Sequence, residues 1–179
     1  MIRWFINRAI DKSEKDTGYP ADYLREILSA SKLGFFKLGL ALQASHPRHA
    51  GTDLHLLAQL GAMQQEACGP CLDISRKYAQ AGGIPEIVIQ QLLANPHKVE
   101  RQMKAAFLLG QHVAGGEPLA ADLLAALETA VGRAGVAELT VSASIVRIFP
   151  ALKRGLGYSD MCAIPQSAPA EDLREKPAN

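Results

Sequence analysis

The chain has 179 residues, enough for one domain with a full core and too few for two large ones. Hydrophobic residues make up 48%, charged residues 21% and aromatics 6%, and 19 Lys+Arg against 18 Asp+Glu give a formal charge of +1. That is a globular composition, and without a basic field it speaks against nucleic acid as a partner.

The first ten residues, Met1 to Ile10, are apolar and basic. They lack a signal-peptide hydrophobic run and a small-residue cleavage site, so a docked helix is expected and the expected location is cytoplasmic. An amphipathic helix lying on a membrane or a partner is the alternative. From Pro20 to about Ser45, Tyr23, Leu24, Ile27 and Leu28, then Phe35, Phe36, Leu38 and Leu40, predict two helices or one bent near Gly34. Ser45 to His49 reads as a loop. Thr52 or Asp53 is a candidate cap for a helix through Leu54, Leu57, Leu60 and Gln64 to about Ala67.

Gly69-Pro70 fits the first turn of the next helix, and Gly82-Gly83 its end. Pro85 restarts the pattern, Asn95-Pro96 makes a turn, and Val99 to Val113 forms a helix closed by Gly115-Gly116. Leu119 to Arg133 and Val136 to about Leu156 predict a terminal helix pair with Gly135 as the cap. Leu139 to Val146 has strand propensity, but a lone strand would have no partner, so it reads as helix. No run approaches the roughly 18 consecutive apolar residues of a membrane span. The expected architecture is a single all-α domain over residues 1–162, followed by a polar, proline-containing mobile tail over 163–179.

Three cysteines are present, two of them in Cys68-Gly69-Pro70-Cys71. Two thiols three apart across a helix start can close a small disulfide ring. The unpaired N–H groups and dipole of the helix stabilise a thiolate on the first sulfur. The alternatives are two packed thiols acting as small hydrophobes, or zinc. Zinc would need further ligands such as Cys162 and His55, and no second Cys-x-x-Cys supplies them, so neither a metal nor a cofactor is expected. A thioredoxin fold is excluded because the motif follows the helical Leu54 to Met63 rather than a strand.

The segment from Leu56 to Gly82 resembles the alkylhydroperoxidase D-like family, which shares its all-helical fold with the carboxymuconolactone decarboxylases. The likeness rests on Leu56 to Met63 leading into Cys68-Gly69-Pro70-Cys71-Leu72-Asp73, on Ala79-Gln80-Ala81-Gly82 and on Ile84-Pro85. Arg133 to Leu139 and the helix after it look like the family's final pair, extending the resemblance over about Tyr19 to Tyr158. The resemblance implies an alkylhydroperoxidase D-like helical bundle and a homo-oligomer, a trimer or hexamer. It also implies a thiol-dependent peroxidase or disulfide oxidoreductase that acts on a hydroperoxide or disulfide and is re-reduced by a dithiol protein. The family's relay glutamate and histidine fall at Leu56 and Ser75 here. Ser75 donates a hydrogen bond but does not titrate near neutrality.

With the relay replaced, the helix N-terminus favours Cys68 as the attacking thiol and Cys71 as the resolving one, the reverse of the family's usual order. Glu66, Asp73 and His55 are the candidate replacements. Glu66 reads as a solvated carboxylate at a helix end, Asp73 as a dipole complement, and His55 as a packed or surface side chain. His46 and His49 form a solvent-facing loop pair, and His97 and His112 are isolated. Arg147, Lys153 and Arg154 form either a solvated face or a subunit interface. Phe35, Phe36 and Phe107 read as core, and Cys162 as a packed or incidental thiol. The rival function is a degenerate family member that keeps the scaffold as an oligomeric binding or assembly module.

Overall fold

The computed structural model describes residues 2–163, and the expected tail from residue 164 onward lies outside the described residues. The helices are α1 (Ile2–Thr17), α2 (Asp22–Ala30), α3 (Lys32–Ala44), α4 (Thr52–Gln65), α5 (Gly69–Ala81), α6 (Glu86–Ala94), α7 (Arg101–Gly115), α8 (Ala121–Val146) and α9 (Ile148–Gly155). Short 3-10 turns lie at Pro96–Lys98 and Ser159–Cys162. No strand occurs among the described residues, and the chain is all-α as its apolar spacing predicts.

The core is built around α4. Leu57, Ala58, Leu60 and Ala62 on this helix are fully buried against Ala105, Ala106 and Phe107 of α7 and Leu127, Leu139 and Ala143 of α8. The α4–α7 crossing depends on two glycines. A Cβ on Gly61 would lie 1.9 Å from the Phe107 carbonyl oxygen, and one on Gly110 would lie 1.9 Å from the Ala58 carbonyl oxygen. Backbone meets backbone there, so neither side can yield by a change of rotamer. A second, smaller cluster joins Ile10, Ala21 and Tyr23 to Phe149, Leu152 and Leu156, seating the N-terminal helices over α9.

Several boundaries differ from the sequence expectation. The break between α2 and α3 falls at Ser31, not Gly34, because the Ser31 hydroxyl accepts from the Gly34 N–H at 3.0 Å and caps α3. Gly51 rather than Thr52 or Asp53 occupies the start of α4, without a side-chain cap. The kink of the terminal helices falls at Gly132, whose φ of 70° needs glycine, while Gly135 lies buried within the helix. Phe107 is core, but Phe36 is 63% exposed on α3, which buries none of its residues.

Residues 121–155 are long and apolar enough to cross a membrane by length and composition, a property hidden by the charges that interrupt the sequence. Leu127, Leu139 and Ala143 from this stretch nevertheless sit in the protein core. The loop before α4 is held on α8 by Glu138, whose carboxylate accepts from the N–H groups of Arg48, His49 and Ala50 at 2.9, 2.7 and 3.1 Å.

Gly61→Ala is expected to cost about 3 kcal/mol by overpacking a backbone contact. Thermal denaturation should show a midpoint about 6–12 °C lower, in the range for a chain of this size. Ala at Gly39, where a Cβ would meet nothing within 4 Å, is the control and should leave the midpoint unchanged or raised.

Candidate functional site

The chain turns sharply between α4 and α5. Ala67 takes a left-handed conformation with φ of 51°, unusual for a residue with a side chain, and this turn delivers Cys68 to the N-cap of α5. Pro70 lies in the first turn, where its missing N–H costs nothing. Cys71 follows one turn on. The Cys68 thiol donates to the Cys71 sulfur at 2.9 Å, and both cysteines are free and buried, 1% and 6% exposed respectively.

The third member of the cluster comes from the far end of the chain. Lys153 on α9 is 3% exposed, and its Nζ lies 3.4 Å from Cys71 Sγ and 3.9 Å from Cys68 Sγ. It also stands 5.5 Å from the centre of the Tyr23 ring, within cation–π reach. Burying a cation requires compensation, and the two sulfurs and the ring face supply it.

Two arginines on the same stretch fix the position of α9. Arg147 Nε and Arg154 donate to the two carboxylate oxygens of Glu66 at 2.6 Å each, and Arg147 also donates to the Val113 carbonyl at 3.1 Å. The arginines are seven residues apart, two helical turns, so both reach one carboxylate while Lys153 is turned toward the thiols. Glu66 is therefore not a solvated carboxylate: its side chain is 8% exposed and ties the α4–α5 turn to α9. Burial pushes its carboxyl up, but the two guanidiniums outweigh that and hold it below the ordinary carboxylate range.

The electrostatics separate the two thiols. The hydrogen bond from Cys68 lowers the pKa of Cys71, burial opposes it, and the positive charge of Lys153 adds to the lowering, with the net shift downward. Cys68 is pushed up by its role as donor to Cys71 and by burial. The expectation that the helix N-terminus would make Cys68 the more acidic thiol is thereby reversed. The cation sits closer to Cys71, and Cys68 supplies the proton of the shared hydrogen bond.

Ser75 is buried one turn beyond Cys71, and both line an apolar cavity of about 170 Å³ with Met63, Tyr78, Phe149 and Lys153. Cys68 faces a separate recess beside Gln64, Ala67 and Leu93. Leu56 packs against the core cluster, its Cδ1 so near Gly82 that a Cβ there would approach to 2.3 Å. Asp73 accepts from the Tyr19 hydroxyl at 3.1 Å and pairs with Lys77 at 3.0 Å.

His55 is buried, stacks on His46 at 6.4 Å and meets Gln59 at 3.1 Å. Burial holds its imidazole below the ordinary range. His49 pairs with Glu138 at 2.6 Å. None of Glu66, Asp73 and His55 hydrogen-bonds to a cysteine.

Lys153 is the residue that sequence reasoning left undecided. A signal for it existed: Ser142, Val146, Pro150 and Lys153 recur at spacings of four, four and three, and all four are buried. Lys153 thus continues the apolar face of the helix, while Arg147 and Arg154 lie off it. No protein-family model matches the chain, and neither a curated protein nor a solved structure does. Fold and site define an all-α protein with a buried Cys-x-x-Cys dithiol next to a buried lysine.

Glu66→Gln should remove one charge-assisted partner from each arginine and lower stability at pH 7 by about 1–2 kcal/mol. Because the folded pKa of Glu66 is depressed, its contribution is present above its ordinary value of 4.5 and lost as pH falls through the folded value. Urea titrations of the variant and wild type should differ at pH 7 and converge in acid.

Proposed function

We propose that the protein is a thiol-dependent oxidoreductase of alkylhydroperoxidase D-like fold that reduces a hydroperoxide by cycling Cys68 and Cys71 between dithiol and disulfide. The observation carrying this reading is the 3.4 Å contact between Lys153 Nζ and Cys71 Sγ beside a donor thiol at 2.9 Å. A lysine takes the place of the titrating relay that Leu56 and Ser75 do not provide. It favours the thiolate at the sulfur that lines the cavity.

In this reading the Cys71 thiolate attacks the distal oxygen of the hydroperoxide, the O–O bond breaks, and the alkoxide leaves as an alcohol after taking a proton. Lys153 Nζ is positioned at the sulfur to donate it, with the Ser75 hydroxyl on the same cavity wall. The Cys68 sulfur then attacks the Cys71 sulfenic acid, the S–S bond forms, and water leaves with the Cys68 proton. A dithiol protein returns two electrons. The apolar walls suit a small organic hydroperoxide better than a charged substrate.

Exposed apolar residues on the outer helices support self-association. Leu33, Phe36 and Leu40 on α3 and Trp4 and Phe5 on α1 are each more than half exposed. In the proposed homo-oligomer α3 packs against a second copy, and Phe36→Asp with Leu40→Asp should shift the species seen by light scattering toward monomer.

The test of the activity is thiol loss on addition of one equivalent of organic hydroperoxide at pH 7. Two thiols per chain should disappear in the wild type, and neither Cys68→Ser nor Cys71→Ser should form the disulfide. Lys153→Met should move the pH profile of Cys71 alkylation upward. A one-unit move would slow labelling at pH 7 about tenfold. Loss of thiols only in alkali, at the rate of an ordinary cysteine, would instead support the binding-module reading, for which the apolar cavity beside Cys71 is the site.

A further inference from the structure

Lys153 is a buried cation without a carboxylate. At 3% exposure its Nζ meets Cys71 Sγ at 3.4 Å, Cys68 Sγ at 3.9 Å and the face of the Tyr23 ring at 5.5 Å. No carboxylate among the described residues pairs with it, and Glu66, which ties down α9, gives its two oxygens to Arg147 and Arg154. Of the groups around Nζ only a thiolate carries a net negative charge. The lowered pKa of Cys71 favours that thiolate in the reduced protein, so cation and anion cancel and the cavity beside them suits an uncharged substrate.

Oxidation removes the anion and leaves the cation. When the disulfide closes, two electrons pass to the hydroperoxide, which takes the Cys68 proton and one from solvent and leaves as alcohol and water. The charge on Cys71 disappears into the S–S bond, and the site passes from neutral to singly positive. A buried cation stripped of its counter-charge is costly, and the Tyr23 ring offsets only part of that cost.

The cavity holds the groups that could restore the balance. Lys153 lines its volume of about 170 Å³ together with Tyr23 and Ser75, whose hydroxyls make no hydrogen bond to another described residue although the two side chains are buried. Elsewhere on the wall the Thr17 and Ser45 hydroxyls donate to backbone carbonyls and the Gln59 amide donates to Ser142. Tyr23 stands over Lys153, and Ser75 lies one turn beyond Cys71, so a cation and two free hydroxyls share one end of the cavity. Leu24, Leu42, Met63 and Phe149 line it as well and carry no charge.

We propose that in the oxidised protein this cavity binds a small organic monocarboxylate, with its carboxylate on Lys153 Nζ and the Tyr23 and Ser75 hydroxyls, and its apolar body against Leu24, Leu42, Met63 and Phe149. The inference rests on the redox reading of the pair given above. The volume is below the roughly 300–1,000 Å³ of sites for drug-sized ligands, so the apolar body is short. A carboxylate bound there blocks the cavity until a reductant opens the disulfide. The Cys71 thiolate then returns to Lys153 and expels the ligand.

The test uses the full chain, diamide as oxidant, dithiothreitol as reductant and hexanoate as probe, with binding read by calorimetry at pH 8. Oxidised protein should bind hexanoate about tenfold more tightly than reduced protein. By reciprocity, a tenfold preference makes the potential of the pair about 30 mV more negative at saturating hexanoate. Hexan-1-ol should show no preference between the two states, and acetate should bind more weakly than hexanoate. Lys153→Met places an apolar side chain at the buried position and should bind hexanoate equally weakly in both states. Cys71→Ser lacks the thiolate in either state and should bind hexanoate as oxidised wild type does, with or without diamide.

Equal affinity in oxidised and reduced wild type, or hexanoate binding unchanged by Lys153→Met, overturns the proposal. Hexanoate binding no tighter than acetate overturns its apolar half. If diamide forms no Cys68–Cys71 disulfide, the redox reading falls by itself, and Cys71→Ser still decides the anion site: failure of that variant to bind hexanoate overturns the site too.

Discussion

The contact on which the rest depends is the backbone crossing of α4 and α7 at Gly61 and Gly110. Each glycine leaves room for a carbonyl of the other helix, so the helices approach more closely than any pair carrying a Cβ at those positions could. The flanking residues Ala58, Ala62, Ala105 and Ala106 are small for the same reason and fully buried. This fixed axis determines where α4 ends. The left-handed turn at Ala67 follows directly, and with it the position and direction of α5 and its two cysteines.

A second constraint acts from the other end of the chain. Placing Lys153 at 3% exposure is expensive in a low-dielectric interior, and the structure offsets the cost with two polarizable sulfurs and the face of Tyr23. A cation so placed would drift if α9 were free to rotate. The Glu66 carboxylate prevents this by taking a guanidinium on each oxygen, from Arg147 before α9 and Arg154 near its end. The residue that carries this clamp lies two positions before Cys68, so the thiols and the lysine are aligned through one short covalent path and one pair of salt bridges.

The consequence for chemistry is a division between the two cysteines that their sequence spacing does not contain. Both belong to one helix start, and a helix dipole treats the N-terminal one more favourably. Here local partners outweigh the dipole: the cation lies 3.4 Å from Cys71, and Cys68 spends its proton on the hydrogen bond between them. The same arrangement separates access, with Cys71 on an apolar cavity and Cys68 on a separate recess beside Gln64, Ala67 and Leu93. Asymmetry of acidity and asymmetry of access fall on the same sulfur: the thiol held lower, Cys71, is also the one that lines the apolar cavity.

What the sequence by itself determined was the local part. Three- and four-residue apolar spacing, Pro70 at a helix start, Gly82 and Gly116 at helix ends and the helical reading of Leu139 to Val146 all depend on neighbours within a few turns, and they were legible for that reason. The Cys68–Cys71 pair was legible on the same ground. Boundaries set by a side-chain cap at Ser31 or by a single dihedral at Gly132 were misplaced by a few residues, since several nearby glycines and serines have equal local claim. Tertiary structure alone decided the partners: Lys153 meets the thiols across more than eighty residues, Glu66 meets two arginines across a similar interval, and Phe36 lies outside while Phe107 lies inside. The physical reason is that charge and acidity are properties of a neighbourhood in space. A lysine on a helix is a solvated cation until folding places it beside a sulfur and withdraws the water from both.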